Sequence, residues 1–149
     1  MYDALKKLNE LADQRKRQKH PTVPYLVKSS YRDKSANDLT KCVVDYLDLI
    51  GGWATRINST GTYRPDIGFT FGNTKKGTAD IMGTLPDGRS ISVEVKIGSD
   101  RQSKYQKKVE SEINRANGIY IIARTFQQFH DDLQSLYPHQ DDEKKAILI

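Results

Sequence analysis

Apolar residues recur at helical spacing in some stretches of this chain and at strand spacing in others, and the changes of period outline its elements. Ala4, Leu5, Leu8, Leu11 and Ala12 share one helical face between Met1 and about Asp13. The stretch runs into Arg15-Lys16-Arg17-Gln18-Lys19-His20, and Pro21 and Pro24 then stop the helix. Residues 1–34 therefore read as an N-terminal helix and basic arm ahead of a main domain at 35–149. The arm either packs on the core or a second subunit and continues as a solvated linker, or lies along a phosphate backbone.

Asn37 or Asp38 is expected to cap the next helix, which carries Leu39, Val43, Tyr46, Leu47 and Ile50 inward and ends at Gly51-Gly52. Trp53 to Asn58 then alternates like a strand. Ser59 to Gly77 is rich in Gly, Thr and Lys, with a short strand expected near Ile67 to Phe71. A connection of that length in a small domain is usually functional or mobile. Further on, Ser103 opens a helix through Tyr105, Val109, Ile113 and Ala116, with Gly118 as its terminal glycine. Ile119 to Arg124 reads as a buried strand, and Thr125-Phe-Gln-Gln128 as the capping box of a last helix.

The segment Thr78 to Ile97 carries the chemistry. Ile91, Val93, Val95 and Ile97 fall on one face of a strand, with Ser92, Glu94 and Lys96 on the other. Thr78 to Thr84 forms its partner, joined through Leu85-Pro86-Asp87-Gly88-Arg89. Proline and aspartate suit a type I turn, and Gly88 takes the left-handed position that completes a three-residue hairpin. If Leu85 pairs with Arg89, Asp80 falls opposite Glu94, with Cβ atoms roughly 4.5–5.5 Å apart. Two like charges there repel, and a sheet built for stability alone avoids them. A divalent cation removes the conflict, since carboxylate oxygens suit Mg²⁺ or Mn²⁺. Lys96 adds a positive charge on the same face. Metal, two carboxylates and a lysine are what phosphodiester hydrolysis needs. The plainer reading of Glu94 and Lys96 is an exposed ion pair.

The 149 residues suffice for one domain with its own core. A formal net charge of +5 favours a polyanionic partner without requiring one. Cys42 is the one cysteine and sits at helical spacing among Leu39, Val43 and Val44, which suits a buried, inert thiol and needs no oxidising compartment. No apolar run approaches the ~18 residues of a membrane span, and the N-terminus lacks a hydrophobic signal core. A soluble, cytoplasmic protein is the expectation.

With these residues placed, the chain resembles the PD-(D/E)XK nuclease superfamily and, within it, the VRR-NUC family. The resemblance rests on Lys76-Gly-Thr-Ala-Asp-Ile-Met-Gly83, Gly88-Arg-Ser-Ile-Ser-Val-Glu-Val-Lys96 and Ser103-Lys-Tyr-Gln106. Val44-Asp-Tyr-Leu47, Gly52 and Arg56-Ile-Asn58 add to it, so that it spans roughly Asp38 to Arg124. It implies an α/β fold with a restriction-endonuclease-like αβββαβ core, a mixed sheet flanked by helices. It also implies Mg²⁺ or Mn²⁺ held by Asp80, Glu94 and the Val95 carbonyl, with Lys96 near the attacking water and Gln106 in the site. Ser103 and Gln106 equally form a capping box, and both roles are compatible. Asp38 matches an acidic position early in the family's first helix, as a metal ligand or as an N-cap. The literal Pro-Asp pairs, Pro65-Asp66 and Pro86-Asp87, lie elsewhere; Ala79-Asp80 occupies the family's position.

The activity so implied is hydrolysis of branched, flapped or four-way-junction DNA in repair or junction resolution. Likeness to phage-encoded, stand-alone members implies a homodimer. Arg64, Lys75, Lys76, Lys104, Lys107 and Lys108 are the expected DNA contacts, Arg115 lies on the same helix, and Tyr63 is a possible base platform. His130 with Asp131 and Asp132, and His139 with Asp141 and Asp142, read as surface polarity. Two other functions stay open: a DNA-binding module with the fold but no catalysis, and a sequence-specific restriction-type endonuclease.

Overall fold

The structure, a computed structural model, describes residues 3–57, 62–70 and 75–138. Among the described residues, four helices, α1 (Ala4–Lys19), α2 (Ala36–Leu49), α3 (Lys104–Arg115) and α4 (Phe126–Leu136), accompany six strands. These are β1 (Trp53–Arg56), β2 (Thr62–Arg64), β3 (Gly68–Thr70), β4 (Ile81–Thr84), β5 (Ser90–Val95) and β6 (Ile119–Ala123). The main sheet runs β1-β4-β5-β6, antiparallel except for the parallel β5–β6 pair that α3 connects. The fold is therefore α/β, a four-stranded mixed sheet flanked by helices. Strands β2 and β3 form a separate two-stranded ribbon inserted between β1 and β4.

Strand alternation sorts the two faces of the sheet. Ile81, Ile91, Val93, Ile119, Ile121 and Ala123 join one apolar core with α1, α2 and α4. Tyr120 and Ile122 point the other way and pack with Ala79 under Val109 and Ile113 of α3. Both faces of β5 are covered, so the plainer reading of its polar side as an exposed ion pair does not hold: Ser92 and Glu94 are buried.

The hairpin has the expected register, pairing Ile81 with Val93, Met82 with Ser92, Gly83 with Ile91 and Thr84 with Ser90. Its turn explains this. Leu85 N–H donates to Arg89 O at 2.8 Å, Arg89 N–H donates to Asp87 Oδ1 at 3.0 Å, and Gly88 takes φ 94°.

Helix α1 runs through the basic stretch to Lys19 and ends just before Pro21, where the prolines were expected to stop it; Lys, Arg and Gln are good helix formers and the basic last turn suits the dipole. Residues beyond it run back along the helix: Ser29 N–H donates to Asp13 and Tyr31 N–H to Asn9, while Lys16 and Arg17 donate to the carbonyls of Val27 and Val23. Two of the basic side chains thus tie down their own backbone, and Ala4, Leu8 and Leu11 sit in the main core. The cap of α2 is Ser35, whose Oγ accepts from Asp38 N–H, so neither Asn37 nor Asp38 caps it. At the end of α3 the left-handed residue is Asn117 (φ 66°), and Gly118 serves instead where a Cβ would lie 2.4 Å from Ser90 Oγ. Gln128 receives the N–H of Arg124 rather than that of the cap Thr125, so the box at α4 is only half formed. His130 is buried, 5% exposed, with its ring edge-on to Tyr46 at 5.6 Å; it belongs to the core, and only Asp131 and Asp132 are surface groups. His139, Asp141 and Asp142 lie outside the described residues. Cys42 is buried as expected, its thiol pushed up to about 12, first by burial and then by Asp33, Asp38 and Asp45.

Leu8 is fully buried where α1 meets the other helices. Leu8→Ala is expected to lower the unfolding free energy by about 2–5 kcal/mol within one cooperative urea transition. A loss below ~0.5 kcal/mol, or a separate early transition, would show α1 to be an independent appendage.

Candidate active site

The site forms where β4 begins and β5 ends. Asp80 precedes β4 and is stitched to both neighbouring strands. Its carbonyl accepts from Ile57 N–H at 2.7 Å, and its Oδ2 accepts from Val95 N–H at 2.9 Å. The side chain so completes the ladder where backbone pairing stops. This is a structural role, and it also aims the carboxylate at β5. In an extended strand the N–H and C=O of one residue face the same edge, so the Val95 carbonyl is on the Asp80 side.

Glu94 lies on the α3 face, 3% exposed. Its Oε1 accepts from Gln106 Nε2 at 2.5 Å and lies 3.4 Å from the Lys96 ammonium. Its Oε2 is buried without a hydrogen-bond partner among the described residues. Burial above all, then the charge of Asp80, pushes the Glu94 carboxyl up to about 7 against the smaller opposing pull of Lys96. Lys96 itself is mostly buried, its side chain 16% exposed. Gln106 forms the expected capping box, its Oε1 accepting from the Ser103 N–H, and its Nε2 also donates to Glu94. The start of α3 and the buried carboxylate are therefore one hydrogen-bonded unit.

Two residues of this pocket escaped the sequence pattern. Tyr120, opposite Ser92 in the parallel β5–β6 register, places its hydroxyl on the Glu94 face, and Gln102 precedes the helix. The Tyr120 OH and Gln102 Nε2 are both buried without a hydrogen-bond partner among the described residues. The phenol is pushed up to about 12, chiefly by burial and also by Glu94. Gln102 is near enough to oppose that rise, yet the two groups do not form a bond of normal geometry. Two donors and one acceptor, all buried and unsatisfied, mark a place that a polar ligand would complete. The signal in the sequence was a single tyrosine in an otherwise aliphatic strand. A cleft of about 320 Å³ continues along the same face, lined by Thr78, Ala79, Met82, Ser92, Val109 and Glu112 among others.

Other expected site residues are placed as follows. Asp38 lies in the first turn of α2, and among the described residues no third acidic, His or Cys side chain joins Asp80 and Glu94 in a metal-holding group. Arg64 pairs with Asp66 at 2.9 Å on the ribbon, and Lys75 pairs with Glu112 at 3.5 Å. Lys76 and Lys104 both approach the ring of Tyr105, while Lys107 and Lys108 are exposed on α3. Tyr105 itself, expected on the inner face of α3, is 43% exposed. Tyr63 is exposed and directly paired with the equally prominent Phe69. No helix among the described residues is long and apolar enough to cross a membrane. Compared with known protein families, with characterised proteins and with solved structures, the chain shows no match.

The raised Glu94 carboxyl makes stability depend on pH. The folded state holds this proton more tightly than the unfolded chain, so its contribution is complete below about pH 4.5 and lost as pH rises through about 7. In EDTA, the wild type should lose up to roughly 3 kcal/mol relative to Glu94→Gln between pH 4.5 and 8. Urea unfolding of both proteins across that range reads the difference directly. A constant difference would mean that Glu94 titrates as an ordinary exposed carboxylate.

Proposed function

We propose that this chain is a Mg²⁺- or Mn²⁺-dependent DNA endonuclease of the PD-(D/E)XK type that acts on branched DNA. The observation that carries the reading is the buried Glu94 beside Asp80, with Glu94 Oε2 unpartnered among the described residues. Asp80 Oδ2 accepts from Val95 N–H and Glu94 Oε1 from Gln106, while Glu94 Oε2 has no partner among the described residues. Two hard oxygens from opposed carboxylates, with the Val95 carbonyl on the same side, fit the donor set of a divalent cation. A bound cation there would polarise a phosphodiester and acidify a water.

The chain's own groups supply the rest. Gln106 fixes the Glu94 rotamer, so that Oε2 remains the available atom. The Val95 amide does the same for Asp80. Lys96, held 3.4 Å from Glu94 in a largely buried setting, is a charge set to steady a nucleophile or the negative charge growing on phosphorus. The order helix, three strands, helix, strand runs through α2, β1, β4, β5, α3 and β6, and supports the PD-(D/E)XK reading, with the β2–β3 ribbon as an insertion.

The ribbon is what favours branched DNA. Ile57, bonded to Asp80, is five residues from Thr62, so the ribbon starts within ~18 Å of the site. It carries Tyr63, Ile67 and Phe69 at 60–70% exposure, apolar surface suited to bases that have lost their stacking partners.

Labelled duplex, flap and four-way-junction DNA, incubated with Mg²⁺ or Mn²⁺ and with EDTA, tests this reading. Metal-dependent cutting is expected, fastest on the branched substrates, and lowered at least ~100-fold in Glu94→Ala and Lys96→Ala. Binding with no cutting under either metal would refute the catalytic claim and leave a DNA-binding module. Equal cutting of duplex at defined sequences would instead indicate a restriction-type enzyme.

A further inference from the structure

Beside the carboxylate pair, two lysines from distant parts of the chain meet on one aromatic ring. Lys76 Nζ lies 5.2 Å from the centroid of Tyr105, and Lys104 Nζ lies 5.2 Å from the same centroid. Neither ammonium has a carboxylate partner among the described residues, in contrast with Lys75, which pairs with Glu112. Like charges gather in this way when the ring's negative face attracts each of them. The arrangement is built into the backbone. Gly77, at φ 85°, packs so tightly on the first turn of α3 that a Cβ would fall 2.3 Å from Tyr105 O, which sets the preceding Lys76 over the ring. Tyr105 is also the direct neighbour of Gln106, which grips Glu94. The ring remains 43% exposed, so both charges stand at the surface next to the site.

We infer that Lys76, Tyr105 and Lys104 form a seat for the nucleic-acid phosphate backbone next to the carboxylate pair; this rests on the nuclease reading above. The ring's task is to hold two ammonium groups at the surface, where phosphates of one backbone neutralise them. Tyr105 is thus a positioning residue: it acts through the lysines, and its removal leaves the net charge unchanged.

Fluorescence anisotropy with a labelled duplex in EDTA, over a series of salt concentrations, separates the ring's contribution from bulk charge. Lys76→Ala/Lys104→Ala should make the dependence of log affinity on log salt shallower by about one to two. Tyr105→Leu should weaken binding about two- to fivefold at constant charge, and Tyr105→Phe, which keeps the ring, should restore it. Thermal unfolding checks that each variant is folded. Wild-type affinity and salt slope in Tyr105→Leu would overturn the seat, as would equal losses in Tyr105→Leu and Tyr105→Phe, or no duplex binding by the wild type. Wild-type cutting alongside unaltered binding in the variants leaves the nuclease reading standing without the seat. The expected losses in a protein that cuts nothing with either metal support the seat and defeat the nuclease.

Discussion

A carboxylate taken out of water opposite another carboxylate is the constraint around which this molecule is arranged. Glu94 loses its hydration to α3 and the sheet while the charge of Asp80, just ahead of β4, bears on it. The protein meets part of that cost with its own groups. Lys96 sets a positive charge beside Glu94, Gln106 donates to one oxygen, and Val95 donates to Asp80. It stops short of full compensation, since Glu94 Oε2, the Tyr120 hydroxyl and the Gln102 amide remain without partners among the described residues. A proton near neutrality relieves the conflict in one way, and a divalent cation relieves it in another. A cation is the one that leaves both carboxylates charged.

The same constraint connects fold to site. Helix α3 covers the polar side of β5 and packs Val109 and Ile113 on the sheet, while its capping residue reaches Glu94. The opposite layer of α1, α2 and α4 gives the sheet its apolar support; β5 carries Glu94, while Asp80, just ahead of β4, is held by its bonds to Ile57 and Val95. The Lys76–Tyr105–Lys104 cluster sits on the first turn of α3, beside the residue that grips Glu94.

The hairpin was legible in the sequence because its information is local. Pro86, Asp87 and Gly88 determine the turn, and the turn determines the register, which ends at Ile81–Val93 and leaves their neighbours Asp80 and Glu94 close together. Ser103 and Gln106 were legible for the same reason. The partners of that pair were not. Tyr120 reaches the site through a parallel register that a crossover helix sets, and nothing local to β6 reports it. Tyr105 has the spacing of an inward residue, with Val109 and Ile113 four and eight positions on. It lies in the first turn, where Lys76 and Lys104 draw its ring outward. His130 shares a sequence neighbourhood with two surface aspartates, and only the packing of α4 against Tyr46 turns it inward.

The measurement that bears most directly on the carboxylate pair is Mn²⁺ binding by titration calorimetry at pH 7.5 in two buffers of different ionisation enthalpy. Saturable binding is expected, with net release of protons from a group that is still partly protonated at that pH. Glu94→Gln should lose both the binding and the proton release while remaining folded. Absence of binding in the wild type, or the same binding in Glu94→Gln, would contradict the claim that these carboxylates are held together for a metal ion.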